Sequence, residues 1–262
     1  MYMKQTILSA KQSELLENLI VAYGHIVTSE HIYNKARLLW DETQVKNIIT
    51  KLTVDGWLIR LKRGLYAISD LSNRGFLSLF PYVVANLLVA KSYVSFESAL
   101  SYYGMFDQLT DKVVSISQMR YKTAQINAME YSFVNIQEKW FFGWQEVLID
   151  TKKVRIATAE KALIDMIQFH KSKYSVDIVI EKLRLHQDNI TIEKLDDYLS
   201  KMSATTIKIY GMLYDLLGID SSRLYNLIKH KRGTDWMFAD DKTFNARWRL
   251  YYDEYFDKYR EI

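Results

Sequence analysis

Over its first seventy residues the chain places apolar residues at helical spacing and interrupts them with caps and glycines. Leu15, Leu16, Leu19, Ile20 and Tyr23 fall on one side of a helix, and Gly24 follows as a stop. In "HIVTSEHIYNKA", Thr28 sits where an N-cap is wanted, with Ile32 and Ala36 a turn apart on the buried side. "DETQVKNIITKLTVDGW" opens on Asp41 as a cap, with Gln44 three residues on as an approximate capping box. Val45, Ile48, Ile49 and Leu52 then mark one helix face, and Gly56 ends the run. "LIRLKRGLYAI" comes next and alternates about a glycine. It predicts a hairpin with Ile59, Leu61, Tyr66 and Ile68 on the apolar face, Arg60 and Lys62 pointing away, and Gly64 supplying the turn.

Three short helices followed by a two-stranded ribbon is the order of a winged helix-turn-helix. The pattern beyond it differs. Residues 70–80 form a connector that becomes apolar, and Pro81, the only proline, suits the first turn of a helix containing Val83, Val84, Leu87 and Leu88. "SYVSFESALSYYGM" predicts a short extended piece and then a helix capped by Ser95 and stopped at Gly104. Strand-like runs follow in "KVVSISQ", "YSFVNIQ", "WQEVLI" and "KVRIATA", the last two joined by the turn "DTKK". Thr158 caps the helix "AEKALIDMIQF", and from about Tyr174 onward the pattern is helical. Phe244, Trp248, Tyr251, Tyr252, Tyr255, Phe256 and Tyr259 lie on one continuous helical stripe, which docks on its own domain or on a partner. The expected fold class is therefore α+β. A winged helix-turn-helix spans residues 1–70, and a mixed α/β domain with a helical C-terminal portion spans 71–262.

Composition narrows the function classes. The 262 residues contain no cysteine, which excludes a disulfide scaffold, thiolate zinc sites and cysteine nucleophiles, and fits a reducing compartment. No run is apolar enough for a signal peptide or a membrane span, so a cytoplasmic protein with no membrane partner is expected. The net charge is +4. Residues 1–72 hold 9 Lys/Arg against 7 Asp/Glu, so any contact with nucleic acid must rest on a local patch and not on bulk charge.

Two patches meet that requirement. With one face of the third helix buried, Thr43, Gln44, Lys46, Asn47, Thr50 and Lys51 point outward, and these are residue types that bond base edges or phosphates. Asp41 and Glu42 at its start suit the helix dipole but oppose a phosphate. In the wing, Arg60, Lys62 and Arg63 set positive charge where a duplex would lie. Catalytic patterns are scarce. The five histidines are scattered, no phosphate-binding glycine loop or nucleophile elbow occurs, and no metal or cofactor is called for. Asp150, Glu160 and Lys161 could form a metal-dependent nuclease site, but a hairpin turn and a helix start explain them more simply. Asp196–Asp197 and Asp240–Asp241 read as helix caps.

Three segments together resemble a known family, the AbiEi-type antitoxins of bacterial type IV toxin–antitoxin and phage-defence (abortive infection) systems. They are "DGWLIRLKRGLYAI", similar to the family's basic wing, "SYVSFESALSYYG", and "VRIATAEKALIDMI", spread over about residues 10 to 170. The resemblance implies a non-enzymatic transcription regulator whose winged helix binds inverted repeats of double-stranded promoter DNA and represses its own operon. It implies a C-terminal domain that opposes a nucleotidyltransferase-like toxin without depending on a stable complex. Arg60, Lys62, Arg63 and the outward positions of the third helix inherit the DNA-binding role. The competing expectation is a ligand-responsive regulator with a small molecule held by residues 80–170.

Overall fold

The computed structural model describes residues 8–70, 75, 77, 79–108, 110–186 and 189–260. They divide into two compact units, Met1–Ala90 with Ala124–Glu130, and Lys91–Thr123 with Tyr131–Ile262.

In the first unit the order is α1 (Ala10–Tyr23), β1 (Ile26–Thr28), α2 (Ser29–Ala36), α3 (Glu42–Val54), β2 (Leu58–Lys62), β3 (Leu65–Ile68) and α4 (Pro81–Leu88). Local signals fix the helix ends. Ser9 and Gln12 form a reciprocal capping box at α1, and Gly24 closes that helix at φ 75°. Thr28 accepts from the His31 amide at 3.1 Å while His31 Nδ1 accepts from the Thr28 amide at 3.4 Å. Asp41 holds the cap position of α3 but makes no side-chain cap bond, so the expected box with Gln44 does not form. The Gln44 amide reaches the Asp41 backbone carbonyl instead. Leu15, Leu16, Leu19, Ile32, Val45 and Leu52 close one core, joined by Leu58 and Ile68 of the ribbon. β1 is a third strand of that ribbon, giving the order β1-β3-β2 with antiparallel pairing throughout. α4 belongs to this unit, beyond the boundary expected at residue 70. Most of the expected 70–80 connector lies outside the described residues.

Beyond α4 the chain contains β4 (Ser92–Val94), α5 (Phe96–Tyr102), β5 (Lys112–Ser117), β6 (Ala124–Ile126), which falls in the first unit, β7 (Met129–Asn135), β8 (Trp144–Ile149) and β9 (Lys152–Ala157). These strands are ordered β6-β7-β5-β4-β9-β8, with β4 parallel to β9 and antiparallel to β5. The helices α6 (Ala159–Phe169), α7 (Lys173–Leu185), α8 (Ile192–Leu199), α9 (Ala204–Leu216) and α10 (Ser222–Ile228) follow. Every residue of α6 from Ala159 to Ile167 is buried, including Glu160, Lys161 and Asp165, which marks it as a core helix.

Beyond α10 the expected helical tail is replaced by a small sheet of β10 (Asp235–Trp236), β11 (Thr243–Asn245) and β12 (Leu250–Tyr252), ordered β10-β12-β11, and a 3-10 turn over Glu254–Tyr259. The aromatic positions are strand formers, and Arg249 at φ 49° reverses the chain just before β12. The stripe divides as a result. Trp248, Tyr252 and Phe256 are buried, whereas Tyr255 and Tyr259 donate hydroxyl bonds to Asp177 of α7 at 2.9 and 2.7 Å. The paired aspartates are not caps. Asp196 is buried mid-helix and accepts from Tyr214, Asp197 pairs with Arg223, and Asp241 accepts from the Phe238 amide in a β10–β11 turn.

Candidate nucleic-acid interface

The outward face of α3 is built as its pattern dictates. Burying Val45 and Leu52 leaves Thr43, Gln44, Lys46, Asn47, Thr50 and Lys51 exposed. Among the described residues only Thr50 of these six has a side-chain bond, donated to the Lys46 carbonyl at 3.0 Å. The other five keep their donors and acceptors available. At the start of the helix Glu42 accepts from the Tyr33 hydroxyl at 2.6 Å. That bond, more than burial, raises the Tyr33 pKa above its ordinary value.

The wing departs from simple alternation. Arg60 pairs with Tyr66 and Lys62 with Leu65, so a β-bulge at Leu61 breaks the register. Paired residues share a face. Arg60 thus lies with Tyr66, Leu58 and Ile68, while Lys62 lies with Leu65, Ala67 and Ile59. The expected common face for Arg60 and Lys62 is overturned by that extra residue. Lys62 is half-buried, and its ammonium donates to the carbonyls of Leu87 and Leu88, at 2.6 and 3.1 Å. Arg60 and Arg63 are exposed and have no side-chain partner among the described residues. Gly64, at φ 78°, makes the turn, and its carbonyl accepts from the Ser29 amide at 2.9 Å, tying the wing tip to the start of α2. Of the nine residues selected from sequence, eight present free side-chain groups to solvent or a backbone-satisfied hydroxyl. Lys62 is withdrawn to hold α4.

In the second unit two of the quoted motifs converge on a buried polar cluster that sequence reasoning did not find. Lys161 and Asp165 of "EKALID" form a fully buried ion pair. Tyr93 and Ser95 of "SYVSFESAL" donate to Asp165 Oδ2 at 3.2 and 2.7 Å, and Lys161 Nζ donates to the Tyr93 hydroxyl at 3.0 Å. Ser95 stands at the cap position of α5, but its hydroxyl serves Asp165 and not the helix end. Burial pushes the Asp165 carboxyl above its ordinary range against the pull of Lys161, and pushes the Tyr93 phenol up as well. A Cβ on Gly143 would meet the Lys161 stem at 2.9 Å, so that glycine lets the lysine lie flat beneath the chain. The signal legible in sequence was the i, i+4 spacing of a lysine and an aspartate within an otherwise apolar helix.

The nuclease candidates are not brought together. Asp150 occupies the β8–β9 turn at φ 48°, whereas Ala157, next to α6, pairs with Trp144 at the opposite end of that hairpin. Five paired rows lie between Asp150 and the Trp144–Ala157 row, a span of roughly 20 Å. Lys161 is committed to Asp165, and Glu160 is paired with Lys194 at 2.9 Å. Among the described residues no three His, Asp or Glu side chains are grouped to hold a metal ion. Two open cavities lined largely by residues 80–170, of about 170 Å³ beside Glu160 and about 260 Å³ beside His170, fall below the usual range for small-molecule sites, and an apolar one of about 300 Å³ among Leu183, Ile190, Ile192 and Leu217 stands at its lower end. No helix of the described residues is long and apolar enough to cross a membrane.

The described residues define a mixed α+β protein with separate sheets. In a comparison with solved structures, the chain is similar to the crystal structure of the RV2827C protein from Mycobacterium tuberculosis. The TM-score is 0.68, with 93% of this chain and 92% of that chain covered at 13% identity, a likeness that shows the fold alone. No protein-family model matches the chain, and no curated protein matches it significantly.

Proposed function

We propose that the first unit is a winged helix-turn-helix that binds double-stranded promoter DNA, with α3 as the recognition helix and β2–β3 as the wing. The observation that carries this reading is the free polar face of α3, packed through its apolar side onto a ribbon whose Arg60 and Arg63 are exposed and unpaired. Thr43, Gln44 and Asn47 are suited to base edges, and Lys46, Lys51, Arg60 and Arg63 to phosphates. Taken with the resemblance of its motifs to AbiEi-type antitoxins, the chain is a non-catalytic cytoplasmic regulator. It represses its own operon through inverted repeats, and its second unit opposes a nucleotidyltransferase-like toxin without depending on a stable complex. The Lys161–Asp165 cluster then serves as the fixed core of that second unit.

The test is gel-shift and anisotropy titration on DNA upstream of the gene, with Arg60→Ala/Arg63→Ala beside the wild type. The double variant is expected to lose affinity and about two units of log–log salt slope. The same variant, co-expressed with a toxin encoded next door, is expected to derepress the operon and still protect the cell. Unchanged affinity and slope would remove the wing from the interface. Loss of protection with retained protein would tie antagonism to DNA binding and remove the second unit's role.

A further inference from the structure

One side of the C-terminal sheet carries an open row of aromatic rings. Trp236 on β10 and Phe244 on β11 both pair in register with Tyr251 on the middle strand β12. All three side chains therefore stand on the same face. Trp236 stacks on Tyr251 at 5.2 Å between centroids and 13° between planes, and Phe244 leans on Tyr251 at 4.9 Å. The opposite face is the core side, where Leu250 and Tyr252 are buried. Although Tyr251 covers one face of its ring, Trp236 remains 48% exposed, and Phe244 remains 47% exposed. The outer ring faces are thus open to solvent.

The chain leading into this sheet is basic. Lys229, His230, Lys231 and Arg232 are consecutive and exposed. Their backbone is held at the head of the sheet: Arg249 donates to the Lys231 carbonyl at 2.7 Å and Lys208 to the Gly233 carbonyl at 2.5 Å. The Asp235 amide donates to the Arg249 carbonyl at 3.0 Å, which fixes the entry of β10 beside β12. The side chains of Lys231, Arg232 and Lys242 have no partner among the described residues. Of the three aspartates in the region, Asp235 is paired with Lys208, while Asp241, which accepts from the Phe238 amide, and exposed Asp240 keep their charges, so the basic residues outnumber the unpaired carboxylates.

We infer that this face binds single-stranded nucleic acid, with unpaired bases stacking on Trp236 and Phe244 and the backbone running past Lys231 and Arg232. Sheet-borne aromatics beside unpaired cations are the recurring device for that ligand, because every base has a π-face and every linkage a negative charge. A duplex keeps its bases stacked inside and gives the rings nothing to receive. A protein partner fits less well, since lysine is depleted from protein interfaces, whereas exposed Lys231 and Lys242 immediately precede β10 and β11 in the chain. The inference goes beyond the duplex binding proposed for the first unit and uses none of its residues.

The experiment titrates the full-length protein into a labelled oligouridylate of about 12 nucleotides at low salt and reads anisotropy. Saturable binding is expected, weakened about tenfold or more by Trp236→Ala and by Phe244→Ala and retained by Trp236→Tyr, which keeps a stacking ring. Lys231→Ala/Arg232→Ala is expected to lower the salt slope by about 1.4. Arg60→Ala/Arg63→Ala should leave this binding untouched while weakening duplex binding and lowering its salt slope, which separates the two sites. Circular dichroism of each variant excludes unfolding as the cause of a loss. Any of three results overturns the inference: no binding by the wild type, equal binding by Trp236→Ala, or loss of binding in the Arg60/Arg63 variant.

Discussion

Lys62 Nζ lies 2.6 Å from the carbonyl oxygen of Leu87 and 3.1 Å from that of Leu88, and so caps the C-terminus of α4. The last carbonyls of a helix lack intrahelical partners and carry the negative end of its dipole, so a cation there satisfies both needs. The wing lysine therefore has an intramolecular anion-like partner, supplied by backbone, where a phosphate was expected.

Removing that contact should have a signature different from removing a phosphate contact. Lys62→Met keeps the apolar stem and deletes the charge, and is expected to cost about 1–2 kcal/mol of stability. It should leave the salt slope of DNA binding unchanged. Arg60→Ala and Arg63→Ala should each lower that slope by about one unit and alter stability by no more than about 0.5 kcal/mol. Urea denaturation and salt titration of the same three variants check this. A slope lost with Lys62 would mean that the lysine leaves α4 on binding DNA.

The Lys161–Asp165 pair should show strong thermodynamic coupling. Both side chains are fully buried, so Lys161→Met leaves an aspartate stranded in the core and is expected to cost about 3–5 kcal/mol. Lys161→Met combined with Asp165→Leu removes both charges, and its cost is expected to fall well below the sum of the single variants. A denaturation double-mutant cycle measures the coupling. Additive single costs would mean that the two groups do not hold each other.

These two lysines show where sequence patterns inform and where they mislead. The helices of the first unit were legible because their faces and caps are local: Thr28 with His31, and Gly24 at positive φ, act within one turn of chain. The bulge at Leu61 was not, since Arg60–Leu61–Lys62 alternates perfectly and the register shift arises only from pairing with Tyr66 and Leu65. The tail misled for a related reason. Phe244 and Tyr251 are two helical turns apart in sequence, and they also face one another across the β11–β12 hairpin. One spacing satisfies both structures, and strand propensity together with the Arg249 reversal selects the hairpin. The polar cluster around Asp165 joins segments distant in sequence, so only its Lys161–Asp165 half had a local pattern.

Glu160 gives a pH dependence. Burial alone would raise its pKa, but the bonds from Lys194 and from the Thr191 amide, with others at the start of α6, hold it below the ordinary carboxylate value. A carboxylate depressed in the folded state contributes stability above its unfolded pKa and loses it as pH falls through the folded pKa. Acidification below the usual glutamate range should therefore destabilise the wild type, and Glu160→Gln should flatten that part of the curve while being less stable at neutral pH. Unfolding free energies measured across that acid range provide the check, and parallel curves for the two proteins would count against the assignment.

Gly211 lies inside α9, where glycine is about 1 kcal/mol worse than alanine, so its presence needs a packing reason. A Cβ there would run into the ring of Trp248, which is fully buried and donates from Nε1 to Asp215 at 2.6 Å. Gly211→Ala is therefore expected to destabilise the protein by about 1–3 kcal/mol despite the gain in helix propensity. The strain should act on one neighbour: Trp248 leads directly into β12, so displacing it moves Tyr251 and disturbs the row with Trp236 and Phe244. Adding Trp248→Leu should make room for the methyl group, so that the Gly211→Ala step costs less in that background than in the wild type. Denaturation of the four proteins measures the difference. An undiminished cost in the Trp248→Leu background would place the clash elsewhere in α9.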